Sequence, residues 1–199
     1  MPSADFIYGQ PTTRHRILQA AWEAIEELGS KTRLADAAER AGVSRQAVYL
    51  HFGDRSGLLT ALVEHMDEKL GLEELAAHVF DALPGAEALD RMVELHAIYS
   101  PKVESVVRVL QAAQFEDDAL AAAWRNRVHG RRAVHRAIME RIAEEGRLAK
   151  GWTVDTAADI SYSITLPEMW RELTEQRGWT AKQYAQNIST LLRNSLVAG

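Results

Sequence analysis

The stretch that decides the reading is ADAAERAGVSRQAVYLHF, residues 35–52. Its first part puts Ala37, Ala38 and Ala41 on one helical face and ends at Gly42, a residue that takes a positive φ at little steric expense. Val43 then precedes Ser44, a good helix N-cap, and Val48 follows four residues later. That is hydrophobic-staple spacing and fixes the angle at which the chain enters the next helix. Two short helices joined by a three- to four-residue turn with a glycine make a helix-turn-helix, the small side chains letting the helices cross closely. The second of them presents Ser44, Arg45, Gln46, Ala47, Tyr49 and His51, side-chain types that meet base edges and phosphates in a major groove. A plain helical hairpin within a bundle shares the alanine pattern. Cap, staple, turn glycine and the Tyr-x-x-Phe ending together favour the helix-turn-helix.

Working outward, residues 1–11 are expected to be a flexible arm. A first helix starts at Thr12 or Thr13 and carries Ile17, Ala21, Ile25 and Leu28 as one stripe, with Glu23, Glu26 and Glu27 outside it and Gly29 as its stop. The second helix runs from about Thr32 to Ala41, the third from Ser44 to about His51. Asp54 caps a fourth that carries Leu58, Leu59, Leu62, Val63, Met66 and Leu70. Beyond Pro84, helices are expected near 86–99, 101–114, 116–146, 153–177 and 180–197, with Pro167 kinking the fourth of these or starting a new turn. The prediction is an all-α chain of about nine helices. A three-helix DNA-binding domain over 12–57 precedes a helical bundle over 58–199 that holds a ligand cavity and a dimer interface.

The matching pattern is Ile17-Leu18-x-Ala20-Ala21, Gly29, Ala37-Ala38-x-x-Ala41-Gly42-Val43-Ser44, and Tyr49-x-x-Phe52-x-Asp54-Arg55-x-x-Leu58-Leu59. Over residues 13–63 it resembles the TetR family of bacterial transcriptional regulators. The family usually carries a larger aliphatic residue at Ala37 and lysine at Arg55. The first departure thins the local core, and the second keeps the charge. Gly178-Trp179-Thr180 with Tyr184 is similar to the lead into the last helix of many members. The resemblance implies that Ser44, Arg45, Gln46 and Ala47 read bases, that Tyr49, His51 and Arg55 touch phosphate, and that Arg33 reaches either. It implies a homodimer on a double-stranded DNA operator, released by a small-molecule effector of unknown identity. His51 packing on the first helix and Tyr49 acting as a core ring are the alternative roles of those two.

Composition agrees with a folded, soluble chain. Hydrophobic residues make up 47% and charged residues 26% of 199. The absence of cysteine excludes disulfides, thiolate metal sites and cysteine nucleophiles. The longest apolar run, Ala119 to Trp124, is far short of a membrane span, and the N-terminus lacks a secretory pattern. A cytoplasmic protein with no membrane association is therefore expected. The net charge of -5 argues against nucleic acid only until it is partitioned: residues 1–60 hold seven Lys/Arg and seven Asp/Glu, so the remainder carries the excess.

In the second half, the stripe of Leu120, Trp124, Val128, Ile138 and Ile142 also includes Arg131 and His135. Polar groups on a buried stripe are costly unless paired or met by a ligand. A mainly apolar effector cavity is expected from Met66, Met92, His96, Tyr99, Gln114, Phe115, Trp124, Arg131, His135 and Tyr162, with an anionic ligand suggested by Arg131. Satisfied core polar groups or dimer contacts are the alternative for each. Ile160, Ile164, Trp170 and Leu173 on one helix, with Tyr184, Ile188, Leu191, Leu192 and Leu196 on the last, are expected to form the dimer seam. The basic run Arg125, Arg127, Arg131, Arg132, Arg136 and Arg141 reads as a solvated face balanced by Glu116, Asp117 and Asp118. Glu74 and His78, four residues apart, permit metal ligation but more often form a surface pair. No GxSxG, HExxH or phosphate-loop motif is present, so no catalytic set, cofactor or metal site is expected. The rival functions are a helical small-molecule sensor without a DNA role, and a small enzyme using His96 or His135 as base.

Overall fold

The computed structural model describes residues 6–7, 10–71, 83–115 and 117–199. Nine α-helices occur among them. The first four are α1 (Thr13–Leu28), α2 (Leu34–Ala41), α3 (Arg45–Phe52) and α4 (Arg55–Lys69). The next two are long, α5 (Gly85–Ala113) and α6 (Asp118–Glu144). The last three are α7 (Val154–Ile164), α8 (Pro167–Arg171) and α9 (Ala181–Leu196). A 3-10 turn over Gly29–Lys31 follows α1, and a π-helical turn over Glu172–Gln176 follows α8. Within the expected arm, Phe6–Ile7 pairs antiparallel with Gln10–Pro11. No helix among the described residues is long and apolar enough to cross a membrane.

The chain divides into two compact units: residues 1–70 with 103–125, and residues 71–102 with 126–199. In the first, α1 packs on α2 and α4, and α3 packs on α2 and α4. The starts of α1, α3 and α4 carry side-chain caps. Thr12 accepts from the His15 N–H, Ser44 from that of Ala47, and Asp54 from that of Gly57. The buried side chains of this unit include Ile17, Leu18, Ala21, Ala24, Ile25, Ala37, Ala38, Val48, Leu58, Leu59 and Leu62. The Thr32 hydroxyl, itself buried, lies 2.8 Å from the Gly29 carbonyl and 3.1 Å from that of Ala24, tying the end of α1 to the lead into α2.

The core of the second unit joins Leu89, Met92, Val93 and Ala97 of α5 to Ile138, Met139 and Ile142 of α6. Ala157, Ala158, Trp170, Tyr184, Ile188, Leu192 and Leu196 complete it. Gly85 is fixed by packing: a Cβ there would stand 2.8 Å from the Ile142 backbone nitrogen. Glu145 holds that helix start by accepting the Gly85 N–H at 2.8 Å.

Two expectations about helix boundaries change. The helices expected near 86–99 and 101–114 are one continuous α5 with Pro101 inside it. Proline removes one ladder hydrogen bond, but the apolar stripe runs through unbroken, with Leu89, Val93, Ala97, Val103, Val107 and Leu110 all buried, and packing overrides the break. The single helix expected over 153–177 is three pieces. α7 ends at Ile164, and Pro167 takes the first position of α8, where its missing N–H leaves no bond unmade.

Candidate nucleic-acid interface and the polar interior

Gly42 ends α2 in the left-handed conformation, φ 65° and ψ 37°, and the Val43 N–H reaches back to the Ala38 carbonyl at 3.0 Å. This turn aims α3 so that Val48 and Phe52 point inward, while Arg45, Gln46, Tyr49, Leu50 and His51 are exposed. α3 contains no acidic residue. Ser44 is occupied as the cap and Ala47 is half-buried. Tyr49 is 53% exposed, which excludes a core role for its ring. His51 is also exposed, its ring 6.0 Å from that of Phe52.

The flanking cations are placed differently. Arg33, exposed at the start of α2, pairs with Asp36 at 3.1 Å, and Asp36 also accepts the Arg33 backbone N–H at 2.7 Å. Those bonds lower the Asp36 pKa below the usual carboxylate range. Arg55 opens α4, half-buried, with its guanidinium 3.5 Å from the Ser30 carbonyl. The Arg14 guanidinium of α1 lies over the Phe52 ring, 5.5 Å from its centre.

The sequence reading missed Leu50, which is 81% exposed. A helical angle count finds it: at about 100° per residue, Leu50 stands about 200° from Val48 and so opposite the buried stripe. Gly57 was missed too. A Cβ there would sit 1.9 Å from the Phe52 carbonyl oxygen, so close passage of α4 under the end of α3 requires glycine.

The second unit gathers polar groups inside. His96 and His135 are both buried. The His135 imidazole meets Ser161 Oγ at 2.8 Å and Thr165 Oγ1 at 3.3 Å. That of His96 meets the Tyr99 hydroxyl at 3.2 Å and Ser100 Oγ at 3.3 Å. Burial, with the Arg131 charge second, lowers His135 to about 3. Burial, Arg131 and His135 hold His96 well below the ordinary imidazole range, so both rings are neutral at physiological pH. Arg131 is half-buried, donates to the Thr165 carbonyl at 2.8 Å and lies 5.6 Å from the centre of the Tyr162 ring.

Of the ten residues expected around a cavity, His96, Tyr99, Arg131, His135 and Tyr162 are brought into this cluster, and Met92 lies in the same core. Met66, Gln114, Phe115 and Trp124 belong to the first unit. Met66 is buried, while Gln114 and Trp124 are half-buried. Phe115 is 86% exposed in the turn after α5, because it falls past the end of that helix.

The expected seam divides. Tyr184, Ile188, Leu192, Leu196 and Trp170 are buried in the core of their own unit. The Tyr184 ring packs 4.8 Å from Trp170 and 6.0 Å from His96. Ile164 and Leu173 are half-buried, and Leu191 and Ile160 are exposed. A 3.6-residue stripe states that a face is covered, not by which chain.

Two arginines of the basic run of α6 meet carboxylates of α6 and α7. Arg132 pairs with Asp159 at 2.7 Å, while Arg136 pairs with Asp155 at 3.0 Å and with Glu140. Arg141 donates to the Leu83 carbonyl. Glu116, Glu74 and His78 lie outside the described residues. No group of three His, Cys, Asp or Glu fit to hold a metal occurs among the described residues.

The fold and the exposed helix define a class: helical proteins with an N-terminal helix-turn-helix. Residues 17–62 match the family model for bacterial regulatory proteins, tetR family. The chain is 44% identical over 57 residues to the HTH-type transcriptional regulator TtgR of Pseudomonas putida, covering 28% of this chain and 27% of that one. It is 32% identical over 105 residues to the regulator AcrR of Shigella flexneri, covering 52% and 48%. The match thus spans about a quarter of TtgR and half of AcrR. Among solved structures, a SmeT–triclosan complex superposes with a TM-score of 0.74 at 20% identity, covering 93% of this chain and 91% of that one. SmeT is the repressor of the Stenotrophomonas maltophilia multidrug efflux pump SmeDEF. Residues 17–62 are thus similar to the N-terminal module of the tetR family of bacterial regulatory proteins, and the rest of the chain shares the fold of the solved structures.

Proposed function

We propose that this protein is a dimeric, sequence-specific DNA-binding transcriptional repressor, released from a near-palindromic operator by a small-molecule effector held in the second unit. The observation that carries the reading is α3: a capped helix, free of acids, whose outer face offers Arg45, Gln46, Tyr49 and His51 to solvent. Arg45 suits a bidentate bond to guanine and Gln46 one to adenine. Tyr49, His51 and Arg55 meet phosphate, and Arg33 does so by exchanging its Asp36 partner. In a homodimer, two copies of α3 enter successive major grooves about 34–36 Å apart. The exposed apolar side chains Ile160 of α7 and Leu191 of α9 supply contacts for the seam. That the relatives TtgR and AcrR are transcriptional regulators, and that SmeT is a repressor solved with triclosan, supports both halves of the reading. An effector shifts DNA release only by its differential affinity for the two conformations.

The test is selection of bound sequences from a random DNA pool, followed by gel shift. The parent is expected to enrich an inverted repeat. Arg45→Ala is expected to lose preference at one base pair per half-site, about 1–3 kcal/mol. Arg55→Ala is expected to weaken all sequences alike. No enrichment over the pool would reject the regulator reading, leaving a helical sensor; unchanged preference in Arg45→Ala would reject its role as a base reader.

A further inference from the structure

Three of the arginines of α6, Arg131, Arg132 and Arg136, lie close together in sequence and have different fates. Arg132 and Arg136 are met by carboxylates at the surface. Arg131, half-buried, pairs with no carboxylate among the described residues and uses one of its five N–H groups, on the Thr165 carbonyl. A guanidinium withdrawn from water and left without an anion is a standing electrostatic deficit.

The polar groups beside it separate into those already satisfied and those not. The Thr165 hydroxyl has its proton committed to backbone carbonyls, Ser161 at 3.2 Å and Tyr162 at 3.1 Å, so it accepts from His135 Nε2–H. His135 Nδ1 is then the acceptor for the Ser161 hydroxyl, and the ring has no capacity left. His96 is likewise held between Tyr99 and Ser100. Tyr184 is the exception: its ring is fully buried and its hydroxyl has no hydrogen-bond partner among the described residues. Its ring lies 6.0 Å from that of His96, in the same cluster as Tyr99 and Arg131. Trp170, Met92 and Val93, all buried in the same core, give the surroundings an apolar wall. Arg131, Tyr99 and Tyr162 are half-buried, which puts the solvent side of the cluster at these three residues.

We propose that the second unit receives an apolar carboxylate, whose carboxylate accepts from the Arg131 guanidinium and the Tyr184 hydroxyl while its hydrocarbon body lies along Met92, Val93 and Trp170. The proposal rests on reading this unit as the effector-binding part and gives that effector its chemical class. A cationic ligand is repelled by Arg131. A neutral one leaves the guanidinium unmatched. Two neutral imidazoles add no opposing negative charge.

The experiment titrates the full-length protein with decanoate and phenylbutyrate, and with the amide and the amine of the same carbon skeletons, following heat and thermal unfolding. At least one carboxylate is expected to bind about tenfold or more tighter than its amide, with no binding of the amines. Arg131→Gln is expected to erase the difference between carboxylate and amide, and Arg131→Lys to keep part of it. Tyr184→Phe is expected to weaken the carboxylate several-fold with an unfolding midpoint unchanged or raised, since it removes a buried hydroxyl that bonds to nothing. Equal affinity for acid and amide, no binding of either carboxylate, or full acid preference in both Arg131→Gln and Tyr184→Phe would overturn the proposal. Gel shift on the same samples separates the two readings. Retained sequence-specific DNA binding with no carboxylate preference removes only the ligand class. Loss of specific binding in the parent removes the regulator reading itself.

Discussion

The two units place their polar residues in opposite ways. In the first, aliphatic side chains dominate the interior around α1–α4, with Thr32, Ser56 and His65 buried singly among them, and the polar side chains of α3 stand outside. In the second, surface charge is largely cancelled by ion pairs such as Arg132–Asp159 and Arg193–Asp90, and imidazoles, hydroxyls and a guanidinium lie within. A surface that meets a large polyanion must keep its donors in water until the partner replaces the water. A site for a small apolar molecule must hold its few polar groups where hydrocarbon surrounds them. The stability of the two units should therefore respond to different insults.

The sharpest break is at Gly57. Gly57→Ala places a methyl against the Phe52 carbonyl, and α3 and α4 must part. A loss of about 2–4 kcal/mol is expected, with specific DNA binding abolished, measured by denaturant unfolding and gel shift. An unchanged midpoint would mean that the close approach of the two helices does not hold the recognition helix.

Acid should strike the second unit. His135 and His96 have folded-state pKa values depressed by burial, so the unfolded chain takes up their protons first. Their contribution is fully present above about pH 6.5 and is lost as pH falls below it, for His135 through the window down to about 3. The loss approaches about 1.4 kcal/mol per histidine for each pH unit. His135→Gln should flatten that slope, as read from unfolding midpoints between neutral and mildly acid pH. An equal slope in parent and variant would remove His135 as the cause.

Smaller effects sharpen the contrast. Ser44→Ala removes the cap of α3 and should cost about 1 kcal/mol, with weaker DNA binding and no change in sequence preference. A changed preference would show that the hydroxyl touches a base. Arg132→Ala breaks a surface pair and should shift stability by less than about 1 kcal/mol, the difference shrinking further in high salt. A larger loss would mean that the pair is shielded from solvent.

The all-α architecture was legible along the chain, and the outward face of α3 from residues 35–52, because caps, the turn glycine and the staple are local and need no distant partner. The same locality explains why Leu50 was missed: its exposure follows from helical angle, which was not counted for an apolar residue. Pro101 misled, since proline's local penalty was outweighed by a stripe buried on both sides of it. The polar cluster was half visible as Arg131 and His135 on an apolar stripe. Its other members come from α5, α7, α8 and α9, and no spacing along one helix announces that Tyr184 meets Trp170.

By itself, then, the sequence determined the first four helices, their stops and the chemistry offered by α3, because backbone hydrogen bonding and helical period act over a few residues. Only the tertiary structure decided which covered faces turn inward, putting Tyr184 and Trp170 beside His96 and leaving Leu191 and Ile160 in water. Burial depends on what packs against a face, and that partner lies far along the chain.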